Sequence, residues 1–134
     1  MLNIIPKKSC IVAYTSFEKN ILKSLGDWFP KKQKMLQQIA ENIRDLAEPF
    51  RRKAVYKPDM KGSYSIKYVL PSLVSGLNYS GCEIQNGGMA MEAYFKLRNQ
   101  PDEKEKLAIR KALPDYCKLD TYAMVKVLGH LMSI

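Results

Sequence analysis

Cys10-Ile11-Val12-Ala13-Tyr14-Thr15-Ser16-Phe17-Glu18 is the stretch on which the fold turns. Cys10–Tyr14 is a continuous apolar run with β-branched residues at its centre, the pattern of a short buried strand. Thr15 and Ser16 break that run. A helical pattern extends from Ser16 to Leu25, and Gly26 is suited to stop it. Glu18 therefore falls in the first turn of a helix that leaves directly from a strand. On local grounds Thr15-x-x-Glu18 is a capping box, in which the carboxylate bonds back to the Thr15 N–H.

Outward from that stretch, most of the chain is helical. Pro30 can open a second helix, and Met35, Leu36, Ile39, Ile43 and Leu46 give it one apolar face as far as Ala47, before Pro49. Ala54-Val55-Tyr56 is the best second strand and is expected to pair parallel to Cys10–Tyr14, with the intervening helices as the crossover that parallel strands need. Pro58-Asp59-Met60-Lys61-Gly62-Ser63 is a loop by its turn residues, and Ser63 or Ser65 is suited to cap the next helix. Ser65–Leu73 is helical, with Pro71 bending or shortening it. Gly76–Gly88 is loop-rich, Met89–Leu97 is helical, and Pro101-Asp102-Glu103 starts a further helix with acids in its favourable first turn. Pro114 is expected to interrupt that helix. The last one carries Tyr116, Leu119, Asp120, Ala123, Met124, Val127 and Leu131. The chain shows no internal repeat and no low-complexity linker.

Composition narrows the class. With 134 residues, nearly half of them apolar and a quarter charged, the chain suits one soluble domain or most of one. No apolar run approaches the ~20 residues of a membrane span. Met1–Lys8 lacks the hydrophobic core of a signal peptide. Cys10, Cys82 and Cys117 have no metal-ligand spacing and read as reduced cysteines, so a cytoplasmic protein is expected. His130 is the only histidine. Without a nearby cysteine pair it reads as a solvated residue near a helix end rather than a zinc ligand.

The net charge of +9 favours a polyanionic partner, and nucleic acid is the commonest one for a basic cytosolic domain. Arg51, Arg52, Lys53, Lys57, Lys61 and Lys67 cluster in a window where Asp59 is the only acid. A solvated basic loop explains this as well as a phosphate-binding surface does. Tyr56 and Tyr64 interleave with the cations and offer base-stacking surfaces. Lys61 and Lys67 in particular are candidate phosphate contacts.

Three segments carry a resemblance: Ala13-Tyr14-Thr15-Ser16-Phe17-Glu18, Pro58-Asp59-Met60-Lys61-Gly62-Ser63-Tyr64-Ser65-Ile66-Lys67, and Tyr116-Cys117-Lys118-Leu119-Asp120. The first and last resemble the second and third motifs of DEDD-type 3′–5′ exonucleases of the tyrosine variant, which have a ribonuclease-H-like fold. With the middle block, the chain looks closest to a bacterial family of uncharacterised proteins with a nuclease-like domain. In the exonucleases four carboxylates hold two divalent metals, Mg²⁺ or Mn²⁺, that hydrolyse a phosphodiester. Hard ions of this kind want carboxylate oxygens, and a metal pair ~4 Å apart can activate water and stabilise both the developing charge and the leaving oxygen.

The resemblance implies that Glu18 and Asp120 are metal ligands and that Tyr116, one helical turn before Asp120, orients the attacking water. It also implies that Glu18, Tyr116 and Asp120 converge at the end of the first strand. Glu18 stands where the usual residue is Asp, and the expected His or Asn before it is not present. The Asp-x-Glu first motif is missing, because only about ten residues precede the second. The whole chain, 1–134, is therefore expected to be the C-terminal portion of one ribonuclease-H-like domain, α/β and helix-dominated with a small remnant of the parallel sheet. It is expected to be inactive alone and to self-associate through its open sheet edge. A non-catalytic nucleic-acid-binding or assembly module fits the same surface, and a helical protein–protein adaptor predicts no nucleic-acid affinity.

Overall fold

The computed structural model describes residues 9–134, so the reading of Met1–Lys8 lies outside the described residues. The chain divides into two compact units, Met1–Ile66 and Lys67–Ile134. It is α/β and helix-dominated with a small two-stranded parallel sheet, the expected class. Among the described residues no helix is long and apolar enough to cross a membrane.

The first unit opens with β1 (Ile11–Ala13) and α1 (Phe17–Trp28). A 3₁₀ turn (Pro30–Lys32) leads into α2 (Gln33–Glu41), which packs on α1. Gly26 does not stop α1. It is buried, and a Cβ there would lie 3.3 Å from Gln33 Cγ, so this glycine lets the two helices approach closely.

β2 is Ile43–Asp45, not the expected Ala54–Tyr56. It runs parallel to β1 with Ile11 opposite Ile43, Val12 opposite Arg44 and Ala13 opposite Asp45. The apolar spacing 36, 39, 43, 46 fits a longer helix, but α2 ends at Glu41 and Asn42 turns the chain. Leu36, Ile43 and Leu46 are still buried, now from a helix, a strand and the turn after it. Tertiary pairing overrides the local period here.

Ala54–Tyr56 does not form a strand, and two of its three backbone donors, those of Ala54 and Val55, are already used. After the short helix α3 (Glu48–Arg51), Lys53 N–H bonds to Phe50 O (3.1 Å), and Ala54 and Val55 N–H both return to Pro49 O (2.9 and 3.3 Å). With Lys53 at φ 57° this is a Schellman closure, in which the left-handed residue is usually glycine. A 3₁₀ turn (Pro58–Met60) comes next, with Met60 buried and Lys61 at φ 50°.

The second unit contains most of α4 (Ile66–Leu73), then α5 (Gly87–Asn99) and α6 (Glu103–Leu131), which pack together. Ser63 Oγ accepts the Ser65 N–H ahead of α4 (3.1 Å), and α4 ends two residues after Pro71. Asn86 caps α5 by accepting the Met89 N–H, and Asp102 caps α6 by accepting the Lys104 N–H.

Pro114 does not interrupt α6, contrary to expectation. Proline removes the hydrogen bond to the carbonyl four residues back, that of Arg110, and crowds it, but Arg110 is an exposed residue whose carbonyl can turn to water. Ala112 before the proline and Ala123 and Val127 after it are all buried, so packing holds both halves of the helix. The cysteines are free thiols, with Cys10 and Cys117 exposed, and His130 lies half-buried in the last turn of α6.

Candidate functional site

In the first unit the chain passes from β1 to α1 through Thr15, whose backbone is left-handed at φ 69°. A β-branched residue is strained there, and its N–H tells what holds it. That N–H donates to Asp45 Oδ1 at 2.8 Å. The capping-box reading of Glu18 is thereby overturned, because its proposed donor is already bound to Asp45. Ser16 is the N-cap residue and makes no side-chain cap. Glu18 is exposed in the first turn of α1 and has no hydrogen-bond or ion-pair partner among the described residues.

Asp45 organises this corner. Its Oδ1 also accepts the Ala47 N–H at 2.8 Å, and its Oδ2 pairs with Arg51 Nη2. The Arg51 guanidinium lies over the Tyr64 ring, 5.6 Å from its centroid. Tyr14, the residue after β1, donates its hydroxyl to Tyr64 O at 2.6 Å. Burial, and then the nearby Asp45 charge, push the Tyr14 phenol well above the usual tyrosine range.

Nothing in the local pattern marked Asp45. It lay inside a presumed helix, where an acid in an apolar period reads as surface. The left-handed turn at Thr15 that Asp45 holds is equally invisible in the sequence, because a β-branched residue does not announce that conformation.

Of the six basic residues in the expected binding segment, Arg51 is committed to Asp45 and Arg52 pairs with Glu48 one turn away. Lys53, Lys57, Lys61 and Lys67 are exposed and make no ion pair among the described residues. A cavity of about 290 Å³ between α1 and α2 is lined by Lys19, Lys23, Gln37 and Glu41 among others, and none of the expected site residues faces it.

In the second unit Tyr116 and Asp120 occupy one face of α6, one turn apart, and a third residue joins them. Tyr79, buried in the loop between α4 and α5, donates its hydroxyl to Asp120 Oδ1 at 2.9 Å. Its ring sits 6.3 Å from that of Tyr116, tilted by 48°. Asp120 is half-buried, and Oδ2 accepts no hydrogen bond among the described residues. The Tyr116 hydroxyl points toward the start of α5, 4.0 Å from where a Cβ on Gly87 would stand.

Burial and then the Asp120 charge raise both phenols, that of Tyr116 to about 12 and that of Tyr79 further. Both are neutral hydroxyls at ordinary pH. Tyr79 then donates to Asp120, and the Tyr116 hydroxyl can donate to or accept from a water. Tyr79 escaped the sequence reading because Gly76–Gly88 carries only turn signals.

Among the described residues no three His, Cys, Asp or Glu side chains gather into a group able to hold a metal ion. The residues present thus do not fit a two-metal centre by themselves. Glu18 belongs to the first unit, Tyr116 and Asp120 to the second.

A family profile described as a domain of unknown function (DUF2779) matches residues 1–65, which coincides with the first unit. No curated protein and no solved structure matches the chain.

Proposed function

We propose that this chain is part of a ribonuclease-H-like domain that removes nucleotides 3′ to 5′ from DNA or RNA with Mg²⁺ or Mn²⁺. Asp120 and Glu18 supply two of the carboxylates, and Tyr116 orients the attacking water. The observation that carries this reading is the Tyr79–Asp120–Tyr116 cluster. One carboxylate oxygen is fixed by a buried phenol and the other is left open, beside a neutral hydroxyl suited to a water. A plain surface pair on α6 would have no reason to recruit a buried tyrosine 41 residues away.

The 134 residues contain no Asp-x-Glu, the motif that contributes the other two carboxylates in the resembled enzymes. The 134 residues by themselves are therefore inactive as a nuclease. A second reading, a nucleic-acid-binding or assembly module without catalysis, rests on the exposed lysines of the basic segment, which make no ion pair among the described residues. In either case the chain self-associates through the edge of β1 that has no partner strand among the described residues.

The test joins the chain to a segment supplying Asp-x-Glu and follows release of nucleotides from a 3′-labelled strand. Cleavage that requires Mg²⁺ or Mn²⁺ and is lost in Asp120→Asn and Glu18→Gln supports the enzyme. Nucleic-acid binding without cleavage supports the module. Metal-dependent cleavage by the 134-residue chain alone, monomeric in light scattering, overturns the incomplete-site reading.

A further inference from the structure

We infer that Tyr64 is a stacking platform for an unpaired base, so that the first unit selects single-stranded nucleic acid over duplex. The inference rests on the proposed nucleic-acid function and deepens it by naming the substrate class. An exposed tyrosine near lysines is common, and exposure alone would carry nothing. What distinguishes Tyr64 is that it is held from two directions. Its carbonyl is bound by the Tyr14 hydroxyl at 2.6 Å, and its ring is faced by the Arg51 guanidinium. Arg51 is itself fixed by Asp45, whose other oxygen is anchored on two backbone N–H groups.

Tyr64 as a residue is nevertheless 45% exposed. A platform ordered before binding loses little conformational freedom when a base lands on it. The cation against it also strengthens its affinity for a π-face.

The surrounding charge fits the same ligand. Arg51 has its counter-ion in Asp45 and is spent on the platform. Lys57 and Lys61, which flank the turn before Tyr64, have no acidic partner among the described residues and can meet phosphates as point charges. Tyr56, 49% exposed, offers a second ring in the same segment. A base inside a duplex has both faces covered by its neighbours. Rings therefore favour strands whose bases are unstacked, whereas lysines alone would bind either form.

The probe is a short oligothymidine or oligouridine strand carrying one 2-aminopurine, compared with the same strand annealed to its complement, against the 134-residue chain. The single strand should bind at least tenfold tighter than the duplex, and 2-aminopurine emission should be quenched on binding. Tyr64→Leu should lose about tenfold in single-strand affinity, equivalent to about 1.4 kcal/mol, and most of the quenching, with the salt dependence unchanged. Tyr64→Phe should bind as the parent does, which separates loss of the ring from loss of the fold. Lys61→Ala should lower the salt slope by about one and leave the quenching intact.

Equal affinity for strand and duplex, or a Tyr64→Leu variant that binds and quenches normally, overturns the platform while leaving a basic nucleic-acid surface. Absence of affinity for every strand and duplex overturns the nucleic-acid reading as well. The two oligonucleotide arms report whether DNA or RNA is preferred.

Discussion

Asp45 and Asp120 are both half-buried aspartates near an important tyrosine, and their surroundings give them opposite characters. Asp45 in the first unit has donors on both of its oxygens. It accepts two backbone N–H groups and a guanidinium, and it holds a strained turn in place. Asp120 in the second unit accepts one phenol and keeps an oxygen open. The contrast teaches that burial does not separate a structural carboxylate from a reactive one. The number of donors already satisfied does. A carboxylate with donors on both oxygens leaves little for a ligand, whereas an ordered carboxylate with one oxygen open is ready to meet one.

The largest expected consequence of that difference is in stability. Asp45→Ala strands two N–H groups and a guanidinium and releases the left-handed Thr15, and should cost about 3 kcal/mol in urea unfolding. Asp45→Asn keeps an oxygen for the N–H groups and should cost about 1 kcal/mol. A loss below about 1 kcal/mol in the alanine variant would break the comparison, since Asp45 would then be no more structural than Asp120.

Next in size is the response to alkali. In the fold, burial and the aspartate charges favour the neutral forms of Tyr14, Tyr79 and Tyr116. A phenol whose folded pKa lies above its unfolded value of 10.0 contributes stability that is complete below that pH and is lost as pH rises through the folded value, about 12 for Tyr116. Ultraviolet titration should therefore show three of the eight tyrosines ionising late, together with unfolding. In Asp120→Asn, Tyr79 and Tyr116 should ionise earlier while Tyr14 is unmoved. A shift of all three would deny that each aspartate acts within its own unit.

Removing the side chain of Asp120 should cost only about 1 kcal/mol, the worth of one partly exposed hydrogen bond. Its variant should stay folded where that of Asp45 is damaged, and under the proposed function the same alanine change abolishes cleavage by the chain joined to an Asp-x-Glu segment. An Asp120→Ala cost equal to that of Asp45→Ala would make both carboxylates structural.

The smallest effects sharpen the reading of the basic segment around Asp45. Lys53→Gly places the residue best suited to a left-handed helix terminator and should gain about 0.5–1 kcal/mol. Arg52→Ala should change stability by no more than about 0.5 kcal/mol, because its pair with Glu48 is exposed. A stability loss in Lys53→Gly would show that the lysine side chain is needed where it lies.

By itself the sequence determined the elements whose causes are local. β1 is a β-branched apolar run, α5 and the two halves of α6 arise from helix-forming stretches, and the pairing of Tyr116 with Asp120 comes from helical spacing alone, whereas packing carries α6 through Pro114. Tertiary structure decided what depends on a distant partner. Ile43–Asp45 became a strand because β1 offered it a hydrogen-bonding edge, although its apolar spacing suited a helix. Ala54–Tyr56 did not take that role, and the Pro49 and Phe50 carbonyls took the backbone donors of Ala54, Val55 and Lys53. Asp45 and Tyr79 became the keystones of their corners through hydrogen bonds across 30 and 41 residues. A periodic pattern records which face of an element is apolar. It carries no record of which backbone or side-chain donors another element will claim, and both carboxylates owe their character to those claims.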